Sequence, residues 1–274
     1  ISEVEKEQWI RDNDAGPMVL RPIKVDEYGE QSLWRHCKRW LLMSATVIST
    51  QEMVESLGIG ERDVRTVKVP MTFPVENRRI HLAPVANMVN KDTDTAWPAL
   101  ARGVERILER HPDDRVLVHT VSYKLTEYLR HQLAQSGRPV FSYRESADRA
   151  RALDWYRSTP TAVLLAPSFD RGIDLPGDDC RVCIVAKLPY PSLGDRQVSE
   201  RLHMHGGQLW YNVQTVRTLV QMTGRGVRSM EDTCVTYILD AQFPKNLYRK
   251  CKSLFPEWWA EALNNRYPTR ELIR

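Results

Sequence analysis

The sequence predicts an α/β fold, a mostly parallel sheet with helices on both faces. Three observations point there. Short apolar runs of strand length recur from residue 79 onward. Helical stripes fill most of the intervals between them. Strings rich in hydroxyls, glycine and arginine stand at the ends of such runs, and the carboxyl ends of parallel strands are where ligands gather.

Taken in order, the chain opens on a strand expected over 19–25, a helix near 29–38 and a buried strand over 40–43 that ends in Ser44-Ala45-Thr46. A helix near 49–57 stops at Gly58, and an extended stretch leads to Pro70 and Pro74. These pieces are too few for a core of their own. Residues 1–47 therefore read as the tail of one domain, 48–75 as a connector and 76–274 as a second domain. Within the second, Leu100, Val104, Ile107 and Leu108 mark a helix closed by Pro112. A strand over 115–119 follows, then Leu125, Tyr128, Leu129 and Leu133 spaced as one helical stripe. Further strands are expected over 140–143, 162–166, 182–185 and 234–239, without repeats or low-complexity tracts.

At 274 residues and 42% apolar content the chain can bury one large core or two modest ones. No apolar run is long enough to span a bilayer, no secretory signal opens the chain, and it begins at Ile1, as expected of a piece of a longer or processed protein. The net charge of +4, from 39 basic and 35 acidic residues, allows nucleic-acid binding without demanding it. Of the basic residues 29 are arginine, which suits bidentate phosphate contacts and equally follows from a GC-rich genome. The odd set of cysteines at 37, 180, 183, 234 and 251 points to free thiols in a reducing, cytoplasmic compartment. Cys180 and Cys183 stand three apart on an expected strand, so their sulfurs should point to opposite faces, and no second pair completes a metal set. His203-Met204-His205 reads as a surface helix.

The chemistry concentrates in four strings. Gln221-Met222-Thr223-Gly224-Arg225-Gly226-Val227-Arg228 sets two guanidiniums three residues apart, close to one helical turn, so both can share a face. With a carboxamide and a glycine beside them they suit a transferring phosphoryl group; the bland alternative is a solvated basic face. Thr120-Val121-Ser122-Tyr123 follows a strand and opens a helix, so its hydroxyls and free amides can hold a backbone phosphate. In Ser168-Phe169-Asp170-Arg171-Gly172-Ile173-Asp174-Leu175-Pro176-Gly177, Gly172 permits an unusual turn. There Asp174 can accept from a ribose hydroxyl or a water on Mg²⁺, and Ser168 can donate to phosphate. Ser44-Ala45-Thr46 is the fourth.

The order Ser-Ala-Thr, Arg-Gly-Ile-Asp-Leu-Pro-Gly, then Gln-x-x-Gly-Arg-x-x-Arg resembles motifs III, V and VI of superfamily 2 helicases. With Lys187-Leu188-Pro189-Tyr190-Pro191-Ser192-Leu193-Gly194-Asp195, Trp210-Tyr211-Asn212 and Arg225-Gly226-Val227-Arg228-Ser229, residues 40–260 resemble the C-terminal helicase domain of the DinG/XPD family. The resemblance implies a RecA-like, P-loop NTPase type, three-layer domain, preceded here by the last elements of domain 1. It further implies a DNA-stimulated ATPase of DNA repair type that translocates along single strands, typically 5′ to 3′. On that reading Gln221, Arg225 and Arg228 face the γ-phosphate, and Gly172, Asp174 and Gly224 contact nucleotide. Thr120, Ser122, Tyr123 and Ser168 hold the DNA backbone, while Ser44 and Thr46 couple hydrolysis to domain movement. Asp170 and Arg171 stand where family members usually carry an aromatic residue and Glu, which is closer to the DEAD-box form and leaves translocation polarity open.

The sequence lacks a G-x-x-x-x-G-K-[ST] loop, and Asp26-Glu27-Tyr28-Gly29 lacks the final histidine of a DExH box. ATP and Mg²⁺ are therefore expected to be bound mainly by domain 1 of the same protein, and this chain alone to be inactive. Iron–sulfur cysteines, which many family members carry in domain 1, have no equivalent cluster here. The expected partners are single-stranded or forked DNA and domain 1, with no membrane and a monomeric state. The rival reading is a non-hydrolysing nucleic-acid-binding or scaffold module of the same fold. A dehydrogenase is a weaker rival, since G-x-G-x-x-G after a first strand is missing.

Overall fold

Two stretches of sequence build each of the two units of this chain, Ile1–Val69 with Tyr190–Arg217, and Pro70–Pro189 with Thr218–Arg274. The computed structural model describes residues 9–11, 17–60, 64–88, 93–167 and 175–264.

In the first unit β1 (Trp9–Arg11) pairs antiparallel with β2 (Leu20–Pro22), a shorter strand than the 19–25 pattern predicts. The helix expected near 29–38 forms only as the single turn α1 (Gly29–Ser32) and a 3₁₀ turn, Trp34–His36. Trp34 is buried and its Nε1 donates to the Leu57 carbonyl at 2.8 Å. α2 (Thr50–Ser56) starts where the Ser49 hydroxyl accepts from the Glu52 amide, leaving one fewer orphan donor in its first turn. It stops at Gly58, which takes a φ of +58° and whose added Cβ would strike the Asp26 carbonyl.

Residues 40–43 do not form the buried strand that their composition predicts. Leu41 is 80% and Met43 83% exposed, and no described strand pairs with them. An apolar run becomes a buried strand only when a sheet receives it.

In the second unit the chain alternates as expected: β3 (Ile80–Ala86), α3 (Thr93–Arg110), β4 (Val116–His119), α4 (Tyr123–Leu133), β5 (Val140–Ser142), α5 (Ser146–Ser158), β6 (Val163–Ala166) and β7 (Val182–Val185). The first unit then takes α6 (Arg196–His203) and the start of α7 (Gly207–Thr223), whose residues from Thr218 onward count with the second. β8 (Val235–Asp240), α8 (Tyr248–Cys251), α9 (Glu257–Ala262) and β9 (Leu263–Asn264) complete it. The strands run in the order β5-β6-β4-β7-β8-β3-β9, and every pairing is parallel. In β3 the register shifts between Leu82 and Ala86, where Pro84 has no N–H to give the ladder.

Alternation along the central strands sets up two apolar layers. Val116, Val118, Val163, Leu165, Val182 and Ile184 face α3 and α4 through Leu100, Val104, Leu125 and Leu129. Leu117, Leu164, Ala166 and Cys183 face the opposite side, with Tyr156 and Ala152 of α5 and with Val227. A parallel sheet covered on both faces is the three-layer α/β architecture that the pattern calls for.

Candidate functional site

The Gln-x-x-Gly-Arg-x-x-Arg string is built differently from the one-face helix that its spacing predicts. α7 ends at Thr223, so only Gln221 stands on helix, and Arg225 and Arg228 follow in an irregular segment. The cause is competition for the carbonyl of Met222, one of the acceptors that a helix end leaves open. It accepts from the Cys183 thiol at 3.7 Å. Thr223 is held as well: its hydroxyl donates to the Val220 carbonyl and accepts from Trp259 Nε1 at 2.8 Å. Gly226 then passes against Cys180 and Cys234, and a Cβ there would lie 2.6 Å from the Cys234 sulfur and collide with the Cys180 carbonyl. This glycine, rather than Gly224, is the one that a close approach requires; the Gly224 Cβ position meets only the Val220 carbonyl at 3.4 Å.

The two arginines end in different settings. Arg225 is 7% exposed and its charge acts on His119, Cys180 and Cys183. Arg228 is exposed, with one guanidinium nitrogen 3.0 Å from the Gly224 carbonyl. Its loop is closed by Asp232, which accepts from the amides of Arg228 and Ser229 at 2.9 and 3.0 Å, while the Ser229 hydroxyl accepts from Glu231 and Asp232. A fixed backbone thus presents an exposed guanidinium. His119, which sequence reading passed over, underlies the string. Its pKa falls to about 3 through burial first and the Arg225 charge second, so it is a neutral imidazole.

The turn after β4 separates three residues that the sequence groups together. Thr120 is fully buried; its hydroxyl pairs with that of Thr126 and lies 3.1 Å from the Ala166 carbonyl, so it cannot reach a DNA backbone. This corrects its expected role, and the reason is that a hydroxyl at the end of a fully buried strand must find an internal partner. Val121 takes a φ of +60°, a costly conformation for a β-branched residue, and turns the chain outward. Ser122 then caps α4, accepting from the Leu125 amide at 3.1 Å, and Tyr123 is 48% exposed beside it. Ser168, Gly172 and Asp174 lie outside the described residues, as do Asp170 and Arg171.

Ser44 and Thr46 make a local turn in the first unit, the Thr46 amide donating to the Ser44 hydroxyl at 3.1 Å. Ser44 is exposed and Thr46 buried, and neither follows a strand. The segments quoted for the family resemblance meet each other: Tyr190 stacks on Tyr211 at 5.9 Å, and the Tyr211 hydroxyl donates to the Pro191 carbonyl. Asp240, fully buried at the end of β8, accepts from the amides of Leu188, Met88 and Gln242 and so joins the ends of three segments. Sequence reading missed it because a carboxylate after an apolar run looks like a solvated strand end.

The sulfurs of Cys180 and Cys183 do not diverge as expected. Cys180 precedes β7 instead of lying on it, and both thiols face the same apolar layer as Cys234. Among the described residues no group of three or more His, Cys, Asp or Glu is placed to hold a metal. No helix among them is long and apolar enough to cross a membrane.

The seven-stranded parallel sheet with helices on both faces is of the RecA-like helicase-domain type. The chain belongs to the helicase C-terminal domain family, whose model matches residues 104–262, and its type is that of the DinG/XPD helicases. It is 25% identical over 234 residues to the ATP-dependent DNA helicase YoaA of Escherichia coli (strain K12), covering 81% of this chain and 36% of the relative. It is 22% identical over 262 residues to the 3′-5′ exonuclease DinG of Bacillus subtilis (strain 168), covering 87% and 28%. The chain thus spans well under half the length of these relatives. The apo XPD structure ("XPD_APO") overlays with a TM-score of 0.64 at 18% identity, over 90% of this chain and 53% of that one.

Proposed function

We propose that this chain is the second RecA-like motor domain of an ATP-dependent DNA helicase, joined to the last elements of the first. The observation that carries the reading is the braced Arg228, an exposed guanidinium on a backbone fixed by Asp232 and Gly226. Gln221, Arg225 and Arg228 face the γ-phosphate of an ATP gripped by domain 1. Arg228 reaches it, and the mostly buried Arg225 sets the local positive potential. Mg²⁺ and the phosphate chain are assigned to a P-loop side in domain 1, because this sequence has no G-x-x-x-x-G-K-[ST] loop. When bound there, the metal neutralises phosphate charge.

Gly172, Asp174 and Gly224 are assigned to nucleotide, and Ser122, Tyr123 and Ser168 to the single-strand backbone. Ser122 presents its capping hydroxyl at a helix start, where backbone amides favour phosphate. Residues 1–47 are assigned to domain 1 and 48–75 to the connector. The exposed apolar run Trp40-Leu41-Leu42-Met43 supports this, since it has the composition of a strand awaiting a sheet. Opening and closing of the two domains around ATP would change the grip on DNA and produce steps.

The test is Arg228→Ala in the full-length protein. A finger of this kind is worth about 10³ to 10⁵ in rate. Hydrolysis should fall to background while single-strand affinity stays within about twofold. Undiminished turnover would overturn the assignment. No turnover in the unmodified full-length protein would favour a non-hydrolysing nucleic-acid-binding module.

A further inference from the structure

The lateral edge of the sheet in the second unit carries a groove that no part of the motor reading uses. β5 (Val140–Ser142) is the outermost strand, and among the described residues no strand pairs with its other side. The register fixes which backbone groups that side presents. Val140 lies opposite Val163, and the Val163 amide donates to the Pro139 carbonyl at 2.8 Å. Every second residue of a strand bonds the same neighbour, so Phe141 turns its N–H and C=O toward β6 while Val140 and Ser142 turn theirs outward. The groove is thus offered donors and acceptors along an edge of about 10 Å.

α4 and α5 form the walls of this groove, which has a volume of about 370 Å³. On the α4 side Glu127 accepts from Arg144 at 2.9 Å and from Arg130 at 3.1 Å. On the α5 side Arg151 pairs with Asp148 at 2.8 Å. The Arg151 guanidinium lies 5.4 Å from the ring of the exposed Trp155, and that ring packs on Phe141 at 6.0 Å. Three exposed guanidiniums therefore stand against two carboxylates, and the surplus charge is positive. Each pair uses only part of the five donors that a guanidinium carries.

The backbone groups and the charge together favour one occupant. An extended peptide supplies both the N–H and the C=O groups that Val140 and Ser142 need. Phosphates only accept, so a nucleic-acid backbone would leave the outward carbonyls unpaired and would meet Glu127 and Asp148. Side chains of an added strand alternate between the two walls. Acidic ones on one side meet Arg130 and Arg144, and apolar ones on the other cover Phe141 and Trp155.

We propose that the β5 edge is a docking site for an acidic, extended segment of a partner protein, added as a further strand beside β5. This goes beyond the motor reading and does not depend on it.

The probe is a fluorescein-labelled peptide amide, Glu-Val-Glu-Val-Glu-Val, titrated with the full-length protein and followed by fluorescence anisotropy. Ser142→Pro removes an outward N–H and leaves the ladder to β6 intact, as proline can on an edge strand. Arg144→Glu with Arg151→Glu reverses charge on both walls at exposed positions, so this variant keeps the test open if the proline one fails to fold. A cooperative thermal transition checks each. Expected are saturable binding with a Kd below about 100 μM and a loss of at least about tenfold in each variant. The peptide Lys-Val-Lys-Val-Lys-Val should not bind, and oligothymidine should not displace the acidic peptide. No saturable binding, equal binding of the two peptides, or full affinity in either folded variant would overturn the proposal and leave an edge merely guarded by its charges. Displacement by oligothymidine would overturn it in favour of a nucleic-acid contact.

Discussion

At the carboxyl end of β4 a single imidazole sits where water barely reaches it. His119 is 3% exposed and feels the Arg225 charge. Its folded pKa of about 3 lies below the ordinary 6.5, so between those values the unfolded chain binds a proton that the folded chain refuses. Stability is then full above about pH 6.5 and falls as the pH drops through the window, by at most about 1.4 kcal/mol per pH unit from this group. Denaturant titrations from pH 7.5 to 4 should show a steeper acid loss for wild type than for His119→Asn. Parallel curves would show that His119 does not hold the neutral state described. Nothing in the sequence singled out this residue. A histidine ending an apolar run reads as a strand terminus, and only the fold brings Met222 and Arg225 onto it.

Among the elements, α4 and α7 show how local rules and neighbours compete. The Ser122 cap follows from sequence, a serine before a helical stripe, and the structure forms it. Ser122→Ala should cost about 1 kcal/mol of stability through the lost cap, read as a lowered denaturation midpoint in this chain. An unchanged midpoint would mean that the cap contributes nothing in this setting. The end of α7 was not legible in the same way. Arginine spacing predicted continued helix through Arg228, but Cys183 takes the Met222 carbonyl and Trp259 the Thr223 hydroxyl where the helix ends. Central strands such as β4, β6 and β7 were legible because burial on both faces writes continuous apolar runs. β3 was not individually foreseen, since Pro84 and His81 interrupt its run.

For the molecule as a whole, the two units draw on interleaved stretches of the chain, an arrangement that linear boundaries do not express. The described residues include no metal-holding cluster, and the sequence has no P-loop. This chain alone should therefore neither hydrolyse ATP nor bind it at micromolar concentration. Isothermal titration calorimetry checks this, and a micromolar Kd would show that the nucleotide grip lies within these residues. The exposed apolar run at 40–43 should also make the isolated chain prone to self-association.

By itself the sequence determined the alternation of strands and helices, the parallel sheet, the family and the string that carries the arginines. Those properties are written in nearest-neighbour patterns, where periodicity and spacing are enough. The tertiary structure decided which arginine is buried and which is exposed, that Thr120 is internal while Ser122 caps a helix, and that Gly226 rather than Gly224 is the close-packed glycine of the arginine string. It also decided that Glu52 and Arg217, 165 residues apart, form one buried pair. Such outcomes depend on which distant groups compete for the same carbonyl or carboxylate, and that competition exists only once the chain has folded.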